Sequence, residues 1–457
     1  MEQFPKGFRF GVADADLQVI GEDATRSHEG SEETMWSVFA RTSGRCAGDA
    51  TPAVGVERFS RWADDAALMR DLGVKHYRTS ISMSRLLRRS GDVNRAAVEW
   101  YRRYFARLRA DGIAIYATLY HWELPQFLAE QGGWTNRATV DWYLRHVRAA
   151  VQEVGDLVDE YFLVNEPWCI AMLGHHQGIH APGERSFRAA LAAAHHVLLA
   201  IGLGFQAIQE IAPGAKIGAV FNAETYYAAS EREEDRRAQR CADGWFNRWF
   251  MDPLFVGRYP EDMWELYRDD RPDASDADLK AMCVGSKLHS FGLNYYSAKF
   301  VRHASRSPLP FEEATPAGQL TNDLGWPISV PPVYPDALRD MILQLWNSYR
   351  SYGLQRIYIT ENGMAQQSRL GADGRPEEDA RRIHYLQQHL RQVRQAMLVG
   401  APVEAYFAWT LMDNYEWAEG YRPESCFGLV HVDRSTMRRL PKASAHWYQN
   451  VMATGLV

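Results

Sequence analysis

Cysteine is scarce in this sequence and is nowhere arranged in a close pair. The chain has five cysteines in 457 residues, and none of them forms a CxxC motif. A disulfide framework and a zinc ribbon are therefore not expected, and the pattern is typical of a reducing compartment. We find no basic segment followed by an apolar one at the N-terminus, and no uninterrupted apolar run of about 18 residues, so we expect neither a signal peptide nor a membrane span. These features favour a cytoplasmic location.

The sequence also lacks a strong charge of either sign. Lys and Arg number 51 against 57 Asp and Glu, which gives a net charge of −6. A nucleic-acid partner is not expected, because such proteins usually carry a basic patch. We find no GxGxxG after a strand and no P-loop, so no cofactor is expected. The adjacent histidines at 175–176 and 195–196 lack the i, i+4 spacing of helical metal pairs, so no metal is expected either. The sequence leaves homo-oligomer formation open.

The chain alternates short apolar runs with amphipathic stretches. Continuous apolar runs are typical of strands in a buried parallel sheet, and strands that alternate with helices indicate βαβ units. Eight such units predict an α/β protein, a (β/α)8 TIM barrel built as one domain over residues 1–457. The predicted strands are Phe8–Ala13, His76–Ile81, Ile113–Tyr120, Glu160–Val164, Lys216–Phe221, His289–Leu293, Arg356–Thr360 and Glu404–Ala408.

Helices are predicted between these strands, among them Val56–Asp71, Asn136–Val154 and Asp379–Leu398. The first of them ends at Leu72-Gly73, which is a C-cap signal. Arg302–Leu320 is rich in Ser, Pro and Ala and has no clear period. We predict that it is a surface loop near the barrel mouth.

Polar or aromatic side chains stand at the end of every predicted strand. In this fold the active site lies at the C-terminal ends of the strands. A single polar residue after a strand is commonly a helix N-cap or a turn former. N-caps favour Ser, Thr and Asp, however, and this set has a different composition. It comprises Gln18, Arg78, His121, Trp122, Asn165, Glu166, Asn222, Asn294, Tyr296, Glu361 and Trp409.

Two carboxylates stand out in this set, Glu166 in LVNEPW and Glu361 in IYITENG. They follow the fourth and seventh predicted strands, so both are expected to face one cavity. Cleavage of a glycosidic bond needs such a pair, because one acid protonates the leaving oxygen while the other attacks or stabilises the anomeric carbon. A retaining mechanism requires the two carboxyl groups to be about 5–5.5 Å apart.

The sequence resembles glycoside hydrolase family 1 over nearly its full length. NEP at 165–167 and TENG at 360–363 match the two signatures of that family. Further similar segments follow in the same order, among them ALMRDLGVKHYRTSIS (67–82), TLYHWELP (118–125), HAPG (180–183), FGLNYY (291–296) and WTLMDNYEWAEGY (409–421). The resemblance implies a retaining β-glycosidase, first of all a β-glucosidase, that acts on a small-molecule β-glycoside.

The resemblance also implies a role for each site residue. Glu166 corresponds to the general acid/base and Glu361 to the nucleophile. Arg78 is expected beside Glu361, Tyr296 is expected to donate a hydrogen bond to the same carboxylate, and Asn294 is expected to help place the site. The sugar-binding positions of the family map to Gln18, His121, Trp122, Asn165, Trp326, Trp409, Glu416 and Trp417. Among these, Trp409 would form the stacking floor and Trp326 would lie at the rim.

Glu416 bears on the substrate. A branch of the family that acts on 6-phosphorylated sugars has a small residue there, so a phosphosugar substrate is not expected. Because Glu416 would bridge the hydroxyls at C4 and C6, both the gluco and the galacto configuration stay open. The sequence also does not separate glucosidase activity from galactosidase or fucosidase activity.

The first loop departs from the family pattern at Asp14 and Asp16. If the first strand continues, Asp14, Asp16 and Gln18 share a face, and we hypothesise that the two extra carboxylates attract a cationic or amino-bearing substrate. The residues after NEPW, notably Cys169, His175, His176 and Gln177, are also unusual.

Three other functions are weighed against hydrolysis. A non-catalytic sugar-binding relative would have lost a carboxylate, and both are present. A metal-dependent hydrolase would need His-x-His where Ala13-Asp14-Ala15 stands. A transglycosylase would use the same covalent intermediate, and the sequence does not separate it from a hydrolase.

Overall fold

The computed structural model describes residues 2–305, 309–334 and 336–457. Its strands are β1 (Arg9–Ala13), β2 (His76–Ser80), β3 (Ala114–Thr118), β4 (Glu160–Asn165), β5 (Ile217–Asn222), β6 (Thr225–Ala228), β7 (Ser290–Asn294), β8 (Ala298–His303), β9 (Phe311–Ala314), β10 (Ile357–Asn362), β11 (Val403–Trp409), β12 (Val430–Asp433) and β13 (Arg438–Pro441).

Eight of these strands close into a barrel in the order β1-β11-β10-β7-β5-β4-β3-β2. Neighbouring barrel strands run parallel, as in the pairs β1 with β11 and β2 with β3. The predicted (β/α)8 fold class is therefore confirmed. Each barrel strand overlaps one predicted apolar run, and the boundaries differ by at most two residues.

The helices lie between the strands in sequence and cover the barrel. The α-helices are α1 (Asp16–Ile20), α2 (Glu22–Glu29), α3 (Met35–Ala40), α4 (Arg58–Asp71), α5 (Met83–Leu86), α6 (Arg95–Ala110), α7 (Gln126–Ala129), α8 (Ala138–Val154), α9 (Phe187–Ile211), α10 (Glu233–Asp243), α11 (Trp249–Phe255), α12 (Glu261–Tyr267), α13 (Asp276–Met282), α14 (Ala337–Tyr349), α15 (Ala380–Leu398) and α16 (Ala443–Thr454). Two π-helices, Cys169–Gln177 and Gly244–Arg248, follow β4 and α10.

Helix α9 is the most apolar of the long helices that pack on the barrel. Its N-cap is Ser186, whose side chain accepts a hydrogen bond from the backbone of Ala189 at 3.2 Å. By length and composition the helix could span a membrane, with a mean hydropathy of 1.6 over 18 residues, but 78% of that window is buried inside the protein. A core helix of a folded domain meets the same criteria, and α9 packs against α8 and α13.

Two apolar clusters lie on the two faces of the barrel sheet. Because side chains alternate along a strand, Phe162 and Val220 belong to one cluster while Leu163 and Ala219 belong to the other. The smaller cluster also holds Tyr116, Tyr358 and Phe407, and it fills the barrel interior. Gly218 makes room for it, because a Cβ there would lie 2.7 Å from the ring of Phe162. The packed interior separates the C-terminal end of the barrel from a polar cluster at the opposite end, where Ser290 donates to the buried Glu160.

The prediction that Arg302–Leu320 is a surface loop is wrong for part of its length. Strand β8 enters this segment and pairs antiparallel with β9, and β6 completes a three-stranded sheet. Only Ala298 and Val301 of β8 are buried, so this strand leaves no continuous apolar run in the sequence. Positions 306–308 of the segment lie outside the described residues.

Candidate active site

The two conspicuous carboxylates lie at the C-terminal end of the barrel. Glu166 follows β4 directly and Glu361 is the penultimate residue of β10. The exposed fraction is 4% for Glu166 and 3% for Glu361. Burial of two carboxyl groups is costly unless each is held by donors, so the surrounding hydrogen bonds define the site.

A continuous hydrogen-bond chain connects the two carboxylates through three other residues. Asn294 Nδ2 donates to Glu166 Oε1 at 2.7 Å and to Asn165 Oδ1 at 3.0 Å. Arg78 Nη2 donates to the same Asn165 oxygen at 2.6 Å, and Arg78 Nη1 donates to Glu361 Oε1 at 2.6 Å. These hydrogen bonds therefore connect residues of four strands, β2, β4, β7 and β10, at one end of the barrel.

Glu361 is held as a carboxylate by a cation and a phenol. Besides the buried ion pair with Arg78, its Oε2 accepts a hydrogen bond from Tyr296 at 2.7 Å. Both contacts are those that the sequence predicts. A buried cation on one oxygen and a hydroxyl donor on the other orient this side chain as an attacking group.

The surroundings of Glu166 favour its protonated, neutral form. Burial raises its pKa to about 8, and the negative charge of Glu361 acts in the same direction. Hydrogen bonds from Cys169 and Asn294 and the charge of Arg78 oppose this shift without cancelling it. A carboxyl group that keeps its proton near neutral pH beside an ionised partner has the properties of a general acid.

Polar groups on one side of the carboxylates are free to bind a ligand. Gln18 Nε2 donates to Tyr415 O at 2.7 Å and more weakly to Glu416 Oε2 at 3.4 Å. Within the described part of the chain, Gln18 Oε1 and His121 Nδ1 are buried without a hydrogen-bond partner. Burial and the charge of Glu361 raise the pKa of Glu416 well above its usual range. Buried polar atoms without partners are expected where hydroxyls of a ligand dock.

Aromatic rings enclose this polar set. His121 lies between Trp409 and Trp417, with ring centroids 5.9 Å from each, and Trp122 contacts Trp417 at 4.8 Å. The indole N–H of Trp122 donates to Asn165 O at 3.0 Å. It is therefore already used inside the protein, and Trp122 contributes chiefly an apolar wall.

Trp326 lies at the edge of the pocket, as the sequence predicts. Its side chain is 38% exposed and its ring centroid is 6.3 Å from that of Tyr296. Since Tyr296 contacts Glu361 directly, Trp326 stands one ring farther from the two carboxyl groups.

Three pocket residues have the left-handed backbone that side chains other than glycine rarely adopt. The φ angles are 70° for Trp122, 52° for Glu166 and 49° for Trp417. Such conformations cost energy and concentrate at functional sites. In this pocket they turn the chain sharply at the ends of β3 and β4 and in the loop after β11.

The loop after β11 carries Glu416 and Trp417, and a buried ion pair holds its base. Lys442 Nζ donates to Asp413 Oδ1 at 2.8 Å and to Gly428 O at 2.7 Å, and both charged side chains are buried. Burial lowers the pKa of Lys442. This ion pair fixes the base of the loop three residues before Glu416.

The hypothesis that Asp14 and Asp16 attract a cationic substrate is wrong. The chain leaves β1 and enters helix α1, so the strand does not continue through these residues. Asp14 accepts from Arg58 at 2.8 Å, and Asp16 accepts from Arg85 at 2.9 Å. The cationic partner of each carboxylate is a buried arginine of the chain itself.

Two further pocket residues, Cys169 and Asn222, have no role that the sequence predicts. Cys169 Sγ contacts Glu166 Oε2 at 3.0 Å, and Asn222 Nδ2 donates to Cys169 Sγ at 3.4 Å. The position of Asn222 at a strand end was the available signal. For Cys169 it was the unusual residue type directly after NEPW.

The described residues contain no group of three or more His, Cys, Asp or Glu side chains arranged to hold a metal ion. The adjacent histidines have other partners. His195 hydrogen-bonds Tyr259 at 3.0 Å, and His196 hydrogen-bonds Trp134 O at 2.8 Å.

Comparisons with known proteins agree with this geometry. The family model for glycosyl hydrolase family 1 matches residues 1–455. A β-glucosidase of an Agrobacterium species is 37% identical over 99% of this chain and 96% of its own length. β-Glucosidase A of Acetivibrio thermocellus is 35% identical over 98% of both chains. The structure of the family 1 β-glucosidase of Thermotoga maritima superposes with a TM-score of 0.92 at 36% identity and covers 99% of this chain and 98% of that one. The chain with this barrel and this carboxyl pair belongs to glycosyl hydrolase family 1.

Proposed function

We propose that this protein is a retaining β-glucosidase. The observation that carries the proposal is the pair of buried carboxyl groups in different environments. Glu361 forms an ion pair with Arg78, whereas the pKa of Glu166 is raised to about 8. The relatives from Agrobacterium and Acetivibrio thermocellus are named β-glucosidases. A related Thermotoga maritima structure, with 36% identity and a TM-score of 0.92, contains deoxynojirimycin.

In the first half of the proposed reaction, Glu361 attacks the anomeric carbon as the bond to the leaving oxygen breaks. Glu166 transfers its proton to that oxygen, so the aglycone leaves as a neutral alcohol. The product is an ester between Glu361 and the sugar. Its formation removes the negative charge of Glu361, and with it a contribution that raises the pKa of Glu166.

In the second half, Glu166 accepts a proton from water, whose oxygen attacks the anomeric carbon and displaces Glu361. Two inversions at one carbon give net retention. Gln18, His121 and Glu416 would bind the sugar hydroxyls, Trp409 would supply the stacking surface, and Trp326 would contact the aglycone. An alcohol in place of water would give transglycosylation.

The test is hydrolysis of nitrophenyl β-glucoside, β-galactoside and β-fucoside, with the first-formed anomer identified by NMR. We expect the β-glucoside to be the best substrate and β-glucose to appear first. Glu361→Ala should abolish turnover, whereas Glu99→Ala, on an exposed helix surface, should not affect it. Release of α-glucose first, or full activity in Glu361→Ala, would contradict the proposal. Added alcohol acceptors would show how much product arises by transglycosylation.

We also propose a cytoplasmic location. All five cysteines are free thiols, which suits a reducing compartment. Recovery of the native protein from an extracellular or periplasmic fraction would contradict this.

A further inference from the structure

The acid/base carboxyl group has a different donor on each oxygen. Oε1 accepts from the amide of Asn294 at 2.7 Å, and Oε2 lies 3.0 Å from Cys169 Sγ. Cys169 begins the π-helix Cys169–Gln177, three residues after Glu166, and only 7% of it is exposed. The thiol therefore contacts the catalytic carboxyl group from inside the protein.

Asn222 determines where the thiol hydrogen points. Its Nδ2 donates to Cys169 Sγ at 3.4 Å from the last position of β5. Because an amide N–H is a donor only, the sulfur is the acceptor in that contact. The S–H bond is then left for Glu166 Oε2.

The thiol also stays protonated. Burial and the charges of Glu166 and Glu361 raise the pKa of Cys169 well above its usual range. It is therefore neither a second nucleophile nor a second negative charge beside Glu166, and its chemistry at this place is that of a weak hydrogen-bond donor.

We propose that Cys169 is a positioning residue for Glu166, with Asn222 as its support, and that it holds the carboxylate oriented while Glu166 acts as the base toward water. The inference rests on the proposed function. Before glycosylation, Asn294 donates to Oε1, so the proton of Glu166 belongs on Oε2. A thiol competes little for that proton, because sulfur is a weak acceptor. After glycosylation, the same thiol donates to the bare oxygen.

Other charged or titratable groups act on Glu166 from neighbouring elements and would be unchanged in a Cys169 variant. The charge of Arg78 on β2 lowers its pKa, and the charge of Glu361 on β10 raises it. Tyr296 and Glu416 are coupled to Glu166, and Glu224 acts on Cys169. A change in pH profile on substitution of Cys169 therefore reports the thiol contact.

The test compares Cys169→Ala and Cys169→Ser with two substrates. Dinitrophenyl β-glucoside has a leaving group that needs no acid, so its kcat reports the deglycosylation step, in which Glu166 is the base. For Cys169→Ala we expect kcat to fall by about threefold to tenfold with kcat/KM nearly unchanged, a part of the roughly 10²–10⁴-fold that acid–base catalysis contributes. Added azide needs no base and should restore turnover.

With methyl β-glucoside, which needs the acid, the alkaline limb of kcat/KM should move to higher pH in Cys169→Ala.

Cys169→Ser should keep most of the activity, and its alkaline limb should move to lower pH, because a hydroxyl is a stronger donor to the carboxylate than a thiol. Asn222→Ala should show part of the Cys169→Ala effect. Cys283→Ala is the matched control, since that thiol contacts Phe255 O rather than a pocket residue. Thermal unfolding of every variant separates misfolding from the expected effect.

An unchanged pH profile and kcat in Cys169→Ala would overturn the inference. So would equal losses of kcat and kcat/KM that azide does not restore, because they would show a purely structural role. If Cys169→Ala fails to fold, the shift in Cys169→Ser decides the question. Absence of β-glucoside hydrolysis by the unsubstituted enzyme would instead overturn the proposed function.

Discussion

Glu166 and Glu361 have the same functional group and opposite environments. Arg78 and Tyr296 donate to both oxygens of Glu361, whereas Glu166 is buried with neutral donors, and its pKa is raised to about 8. The difference lies in the neighbours and not in the residue type. The residue type alone therefore does not distinguish the two roles, and the sequence assigned them through the resemblance of NEP and TENG to the family signatures.

The charge of Glu361 should be measurable at Glu166. Glu361→Gln removes a negative charge that raises the pKa of Glu166, so we expect that pKa to fall. A ¹³C NMR titration of glutamate side chains, with Glu166→Gln to assign the signal, measures the change. Glu99→Gln on the exposed helix surface is the control. An unchanged Glu166 pKa in Glu361→Gln would show that the two groups are not electrostatically coupled.

The residue types of Asp14 and Asp16 alone suggested a role in attracting a cationic substrate, which the structure contradicts. In the sequence they are extra carboxylates near a pocket, but in the structure they form buried ion pairs with Arg58 of α4 and Arg85 of α5. Those partners lie 44 and 69 positions along the chain from their carboxylates. Nothing local in the sequence pairs them, and only the fold does.

At the scale of elements, the eight barrel strands were predictable and the small sheet was not. Barrel strands such as β4 and β10 are buried at every position, which leaves a continuous apolar run in the sequence. Strand β9 is only partly buried, and its order comes from pairing with β8. The turn from β1 into α1 was not predicted either, because a helix of only five residues leaves no recognisable period in the sequence.

The loop that carries Glu416 depends on an ion pair beneath it. Lys442→Met leaves Asp413 charged and buried without its cation. Breaking a buried pair from one side typically costs about 3–5 kcal/mol, so we expect a loss of unfolding free energy of that order, together with a raised KM. Urea denaturation and steady-state kinetics measure the two effects. Lys6→Ala, at an exposed lysine, should change stability by less than about 0.5 kcal/mol, and a similarly small effect of Lys442→Met would refute the anchoring role.

For the whole molecule, buried titratable groups determine how stability depends on pH. Carboxyl groups with raised pKa values bind protons more tightly in the folded state, so their ionisation destabilises the fold as pH rises from their unfolded values near 4.5. Histidines with lowered pKa values act in the opposite direction, and stability rises until they are neutral in the unfolded chain near 6.5. The carboxyl groups are Glu22 and Glu160, with pKa values of about 7, and Glu123 and Glu166, with pKa values of about 8. The histidines are His76, His146, His289 and His389, with pKa values of about 4, and His180, with a pKa of about 3.

These opposing effects nearly cancel around pH 5 to 6, and they predict a broad stability maximum at about pH 6. Above pH 6.5 the histidine contribution approaches completion while the carboxyl groups continue to ionise, so Tm should fall between pH 6.5 and 8. Differential scanning calorimetry across this range measures the slope. Glu123→Gln cannot ionise at that position and should flatten it. A Tm that rises through this interval would contradict the prediction.

The hydrogen-bond chain from Glu166 through Asn294, Asn165 and Arg78 to Glu361 passes between strands that are far apart in sequence. No incomplete barrel can assemble it, since the loss of any one of those strands breaks the connection. Turnover therefore serves as a reporter of barrel closure. In a refolding experiment, activity should return only with the last cooperative phase, however early the helices form.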